Sequence, residues 1–292
     1  MRRTAIDVAR WDAAVLRDAT PLPYGLHWWL DAATNHRWDG LVLDDYRVVL
    51  PLPTMKRFWM LPAAIRPPYT QQLGPYGDVV PGDAADLLQA VPRTFQTALT
   101  FAPTLNPAEI PPRYHYRRRI NYVVDLSPPF SVVRKRFPRT LQAYLRKSIN
   151  DTLEVMPTDP FVALCLERLG DRKGIKARHF EYLRQIIDAA VAQELGACYQ
   201  LREEGELLAA GFFPTLHHRT INIAPVSTAR GLKRRGMSRL LALIMERESG
   251  VPGAVFDFEG SELPGVREYF AKFGGQDEGY YLLENMLFGL MR

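Results

Sequence analysis

The stretch from His218 to Phe258 constrains the fold of this chain more than any other. A strand-like run over His218–Ala224 leads into the basic loop Lys233-Arg234-Arg235-Gly236 and a helical pattern over Lys233–Glu248. Met237, Leu240, Leu241, Ile244 and Met245 recur at the i, i+3, i+4, i+7, i+8 spacing that puts them on one helix face. A second strand-like run, Ala254–Phe258, follows. A helix with one apolar face between two strands buries that face on the sheet the strands enter, so the expected class is mixed α/β.

The rest of the carboxy-terminal half fits such a domain. The spacing predicts a basic helix over Val132–Asn150, amphipathic helices over Pro160–Leu169 and Arg178–Glu194, and a hairpin of Gly196–Glu203 with Leu207–Pro214. A short helix over Pro264–Phe273 and a strand over Gly279–Leu287 complete the half. The first half reads as a looser version. It has a helical run near Gly25–His36, a hairpin over Trp38–Pro51 turning at Asp44-Asp45, a helical pattern over Gly82–Leu99 and a strand over Tyr114–Leu126. Trp28-Trp29 belongs to a core. Ser127-Pro128-Pro129 is a natural break, giving expected domains 1–128 and 129–292 and an expected duplication of one fold.

Chemistry concentrates in Asp257-Phe258-Glu259-Gly260-Ser261 and the helix after it. Strand alternation places Asp257 and Glu259 on one face and Phe256 and Phe258 on the other. Acids at the end of a core strand are costly to desolvate without a partner or a task. Two carboxylates on one face disfavour double ionisation, which makes Glu259 and Asp257 candidate general bases; a structural acid at the turn is the competing reading. Ser261 is a good helix cap.

With 47% hydrophobic and 24% charged residues over 292 positions, the chain is an ordered globular protein with material for two domains. The net charge of +5 is unevenly spread. Arg113, Arg117, Arg118, Arg119, Arg134, Lys135, Arg136, Arg139, Arg146 and Lys147 crowd one stretch in which Asp125 is the single acid; Arg230, Lys233, Arg234, Arg235 and Arg239 form a second group. Such groups are solvated faces or sites for a polyanion. Cys165 and Cys198 read as buried thiols, and no Cys/His spacing suggests zinc. His217 and His218, adjacent in a strand, would face opposite ways, so no metal is expected. Met1-Arg2-Arg3 has no apolar segment behind it, and no apolar run approaches the roughly 18 residues of a membrane span. A cytoplasmic protein is the expectation; its oligomeric state is open.

Two motifs carry a resemblance. Lys233-Arg234-Arg235-Gly236-Met237-Ser238 stands where GNAT acyl-CoA N-acyltransferases have Gln/Arg-x-x-Gly-x-Gly/Ala, and Tyr269-Phe270-Ala271-Lys272-Phe273-Gly274 resembles their Phe-Tyr-Glu-Lys-Leu-Gly helix. The whole chain resembles the two-domain FemAB-like branch of that superfamily. The resemblance implies tandem GNAT-like domains, each a mixed sheet flanked by helices, and a cleft between splayed parallel strands with Lys233–Ser238 at its mouth. It implies acyl-CoA as co-substrate, its phosphates held by Lys233, Arg234, Arg235, Gly236 and Ser238 at a helix N-terminus, and a small amine, amino-sugar or peptide acceptor. Phe270 stands where GNAT enzymes often place a proton-donating Tyr and FemAB-like transferases a Lys. Lys56, Gln71, Gln72 and Tyr269 are candidate substrate contacts; the two amides sit on a Pro/Gly-framed loop that equally suits plain loop bonding. The alternatives are an aminoacyl-tRNA-dependent peptidyltransferase acting on a cell-wall precursor, with the Arg113–Lys147 stretch on RNA phosphates, and a non-catalytic nucleotide-binding relative.

Overall fold

The computed structural model describes residues 1–57, 60–146, 151–172, 174–260 and 264–286. In chain order the first elements are α1 (Val8–Arg17), α2 (His27–Thr34), β1 (Trp38–Leu43), β2 (Val48–Arg57), β3 (Leu61–Ile65), β4 (Tyr76–Gly77), α3 (Asp83–Ala90), β5 (Gln96–Phe101) and β6 (His115–Arg119). Then come β7 (Tyr122–Asp125), α4 (Phe130–Val133), α5 (Arg139–Arg146), β8 (Glu154–Met156), α6 (Thr158–Leu169), α7 (Ala177–Ala192), β9 (Gly196–Glu203), β10 (Glu206–Leu216), β11 (Arg219–Ile221) and β12 (Ile223–Ser227). The last are α8 (Ala229–Lys233), α9 (Gly236–Glu248), β13 (Val255–Asp257), α10 (Pro264–Ala271), β14 (Gln276–Asp277) and β15 (Tyr280–Met286).

These elements form two compact units: Met1–Arg119 with the stretch that begins at Gly279, and Ile120–Glu278. Each has one mixed sheet. Among the described residues the first runs β1-β2-β3-β5-β15-β6, with β4 beside β2; the second runs β14-β7-β13-β11-β10-β9-β8, with β12 beside β10. Both repeat one sequence of pairings. A hairpin (β1–β2; β9–β10) is followed by an antiparallel neighbour (β3; β11), a parallel one (β5; β13) and two antiparallel ones (β15 and β6; β7 and β14). Parallel neighbours need a crossover; α3 lies in the first and α8 with α9 in the second. The tandem mixed α/β architecture is therefore present as topology.

The expected boundary at 128/129 falls inside the second unit, because β7 pairs with β13 there (Val124↔Phe256), while β15 pairs with β5 and β6 of the first unit. The single strand expected over Tyr114–Leu126 is two strands, β6 and β7, one in each unit. The helix expected over Val132–Asn150 breaks before Pro138, where Phe137 is extended, as a residue before proline prefers; Lys147–Asn150 lie outside the described residues, as does Ser261. The helix expected over Gly82–Leu99 stops at Ala90 and gives way to β5, because Pro92 cannot continue it. His217 and His218 (φ 44° and 64°) are the two-residue turn joining β10 to β11, not strand residues.

The second unit's core is the apolar face of α9, with Leu240, Leu241, Ile244 and Met245 buried among Leu208, Phe213, Phe256 and Phe258. In the first unit Trp11, Trp29 and Trp38 are buried, and their indole N–H groups donate to Gly25 O, Thr70 Oγ1 and Asp31 Oδ1. The second sheet also buries an ionic cluster. Arg219 of β11, 8% exposed, donates from Nε and Nη2 to Asp257 Oδ2 of β13 at 2.9 and 2.7 Å and also pairs with Glu278. Removing one partner of a buried pair strands the other charge. Arg219→Met is therefore expected to cost about 3–5 kcal/mol, and adding Asp257→Leu to recover part of that loss, both read from urea unfolding midpoints.

Candidate active site

The strand that begins at β11 divides its pairing. Arg219–Ile221 runs parallel to Val255–Asp257, and the last bond of that ladder is Asn222 N–H to Asp257 O at 2.8 Å. Beyond Asn222 the chain leaves β13 and pairs with β10 as β12 (Phe212↔Ile223, Ala210↔Val226). Ala224 sits at φ 49°, a left-handed position costly for a residue with a Cβ, and Pro225 follows. On the other side β13 stops at Asp257; Glu259 and Gly260 turn at φ 59° and 54°. Gly260 leaves no room for a side chain, since a Cβ there would lie 1.8 Å from Ile120 O. The two strands thus part, and a cleft of about 420 Å³ opens between them. Asn222, Ala224, Pro225, Glu259, Met237 and Phe270 are among its walls.

A second cleft of about 700 Å³ adjoins it, sharing Ser227, Met237, Val266 and Tyr269. Its far wall is the start of α9 with Arg235 and Ser238, facing Leu141 of α5 and Lys272. Arg235 flanks the helix at φ 51°, turning the chain so that α9 begins at the cleft. Gly236 permits close packing, because a Cβ there would meet Leu208 Cβ at 2.7 Å. The hydroxyls of Ser238 and Tyr269 bond at 2.9 Å, and burial pushes the Tyr269 phenol up to about 12, so it remains protonated at neutral pH.

The structure sorts the sequence candidates. Arg235, Ser238, Tyr269 and Glu259 line the joined clefts. Lys233 ends α8, exposed and outside the lining. Arg234 gives its Nε to Glu203 at 2.7 Å, and Arg230 is bound to Glu204 and Glu206 at 2.5 and 3.1 Å, so these guanidiniums are engaged by the β9–β10 hairpin. Asp257 has both oxygens occupied: Oδ2 by Arg219 and Oδ1 by the Glu259 N–H at 2.8 Å. It aims the turn that carries Glu259, and the alternation that would set the two acids side by side ends where Glu259 turns left-handed. Phe270 is core, stacked on Phe258 with centroids 4.5 Å apart. Lys56, Gln71 and Gln72 lie in the first unit, Lys56 exposed at the end of β2, the two glutamines buried with Gln72 Nε2 bonded to Gln71 Oε1 at 3.0 Å. Cys165 and Cys198 are buried and free. The sequence reading missed Asn222 and Pro225. A proline inside a strand pattern is the signal that could have marked the break.

No protein-family model and no curated protein matches the sequence. Solved structures do. FemX superposes with a TM-score of 0.71 over 97% of this chain and 96% of that one, at 11% identity. The chain has the fold of FemX. The carboxy-terminal DUF2156 domain of a protein assigned as a lysylphosphatidylglycerol synthetase from Agrobacterium fabrum gives 0.62 over 95% and 91%, at 15% identity. A protein of unknown function from Bacteroides thetaiotaomicron gives 0.57 over 97% and 98%, at 12% identity. Identities this low establish the shared architecture, which is the two-unit arrangement the FemAB-like resemblance implied.

Arg234, then Arg239 at 2.9 Å, hold the Glu203 carboxyl down to about 2. A carboxyl lowered in the folded state adds stability above its ordinary range, near 4.5, and loses it as pH falls toward 2. Unfolding midpoints measured from pH 5 to pH 2 should fall, and Glu203→Gln should flatten part of that slope. In the same region, Gly236→Ala should destabilise by about 1–3 kcal/mol through the clash with Leu208, measured by thermal or urea unfolding.

Proposed function

We propose that the second unit is an acyltransferase that moves an acyl group from an acyl-CoA-like donor to an amine. The observation that carries this is the parting of β12 from β13 into a cleft continuous with the opening turn of α9. That geometry offers the opening turn of α9 and a cationic rim (Arg235, Lys272) to the donor's phosphates, and a largely apolar cleft to its arm. Glu259, at the inner end, takes a proton from the acceptor amine. The amine nitrogen then attacks the acyl carbon, the carbon–sulfur bond breaks as the tetrahedral intermediate collapses, and the departing thiolate takes the Tyr269 hydroxyl proton while the nitrogen's second proton returns to the Tyr269 oxygen, directly or through the Ser238 hydroxyl bonded to it. Burial makes the phenol a weaker acid than usual, so it acts as a relay that gives up its proton only as it receives the one from nitrogen. Tyr269 thereby does from one residue earlier what the buried Phe270 cannot. Positioning of donor and acceptor supplies much of the rate.

A second reading, aminoacyl transfer from tRNA, is favoured by one specific feature. Helix α5 packs over the loop before α9, its Tyr144 hydroxyl donating to Arg234 O at 2.7 Å and its ring facing the Arg235 guanidinium at 5.3 Å. This narrows the space over the loop and adds exposed Arg139 and Arg146. The FemAB-like two-unit fold, shared with FemX and with the DUF2156 domain of the lysylphosphatidylglycerol synthetase, leans the same way.

Thermal shift separates the donors. Stabilisation by acetyl-CoA and not by bulk tRNA supports the first reading; salt-sensitive stabilisation by tRNA alone supports the second; no shift with either rejects both. In an assay with the donor so identified, Glu259→Gln and Tyr269→Phe should each lower kcat by about 100-fold or more. A few-fold change would remove the residue from its role.

A further inference from the structure

Asn222 is a polar side chain that the fold does not explain. It is 2% exposed, lines the inner cleft opposite Glu259, and its Oδ1 is buried with no hydrogen-bond partner. Its backbone N–H closes the last rung of the parallel ladder, so the residue stands where the strands part. A buried amide left unpaired costs stability that an apolar side chain of the same shape would not. The Oδ1 end is turned toward Gly211, where a Cβ on that glycine would come within 3.7 Å of it. That leaves Nδ2 as the end facing the cleft. The same wall continues into Pro225, which has no N–H to offer a ligand.

We propose that Asn222 binds the reacting acyl group: its Nδ2 donates a hydrogen bond to the acyl carbonyl oxygen and stabilises the negative charge that collects there during attack. This rests on the acyltransferase reading and assigns it a group that neither the family motifs nor the pair of acids supplies. The chemistry needs a donor fixed before reaction, and a buried side chain at a strand junction is such a donor. The Asn222 amide stays neutral throughout. The proton from the amine goes to Glu259, and the electron pair on the oxygen returns to carbon as the thiolate leaves.

The test uses the full chain and two ligands that differ only at the carbonyl, acetyl-CoA and S-ethyl-CoA, with Asn222→Leu and Asn222→Asp. In the native protein acetyl-CoA should bind about 5-fold or more tighter than S-ethyl-CoA, and both variants should lose that preference while still binding S-ethyl-CoA. Asn222→Leu should also melt about 2–4 °C higher, because it removes an unpaired buried amide oxygen, and its acyl transfer should fall about 100-fold in kcat while KM for acetyl-CoA rises by no more than about 5-fold. A preference for acetyl-CoA that survives in both variants overturns the proposal, as does an Asn222→Leu protein that melts lower than the native one. If neither CoA compound binds the native protein, the acyl-CoA reading falls and takes this proposal with it; that result is distinct from CoA binding that ignores residue 222.

Discussion

The buried pair between Arg219 and Asp257 fixes the point on which the second unit depends. It ties β11 to β13 diagonally across their parallel ladder, from Arg219 in the first pair to Asp257 in the last, where the strands separate. The same carboxylate accepts the Glu259 N–H and so sets the direction of the turn that carries Glu259 to the cleft. Two charges this deep are expensive to desolvate. Their placement makes sense where a sheet must be closed on one side of a point and open on the other. A hydrophobic pair could hold the strands together, but it would not supply an acceptor for the turn.

Charge is handled in the same way around the start of α9. Five arginines and lysines crowd 230–239, yet most of that positive charge is paired with the protein's own acids, at the surface for Arg230 and Arg234 and buried for Arg239. Glu203 receives both Arg234 and Arg239, Asp151 receives Arg239, and Glu204 and Glu206 receive Arg230. What remains at the cleft is Arg235, leaning on Tyr144, with Lys272 across from it. A count of basic residues overstates the charge a ligand would meet. The joined cleft is lined largely by apolar side chains, with Arg235 and Lys272 in the outer part and Arg172 and Glu259 in the inner part.

Much of the second unit was legible in the sequence. The α9 stripe, the β9–β10 hairpin, α6 and α7 are local patterns with strong periods, and they stand where the spacing puts them. The first unit was less legible because proline interrupts its strands, at Pro51, Pro53 and Pro62, and fewer helices flank them. The motifs at Lys233–Ser238 and Tyr269–Gly274 fall on segments that line the clefts, yet several side chains picked out with them are engaged elsewhere. Arg234 and Asp257 fit the pattern and are consumed by partners 31 and 38 residues away. Gln71 and Gln72 look like recognition groups on a loop and are buried.

The sequence alone therefore determined the class of fold, the tandem arrangement and the two segments that build the cleft, because helix and strand periods and capping residues act over a few positions. Only the tertiary structure decided where each unit ends, since β7 and β15 find their partners through long-range pairing that no local pattern encodes. It also decided which polar groups face the cleft. That depends on left-handed turns at Ala224, Arg235 and Glu259 and on ion pairs closed between segments distant in sequence. The most telling result is Asn222, an ordinary residue in a strand pattern, which becomes conspicuous only once the folded neighbours around its amide leave the buried oxygen without a partner.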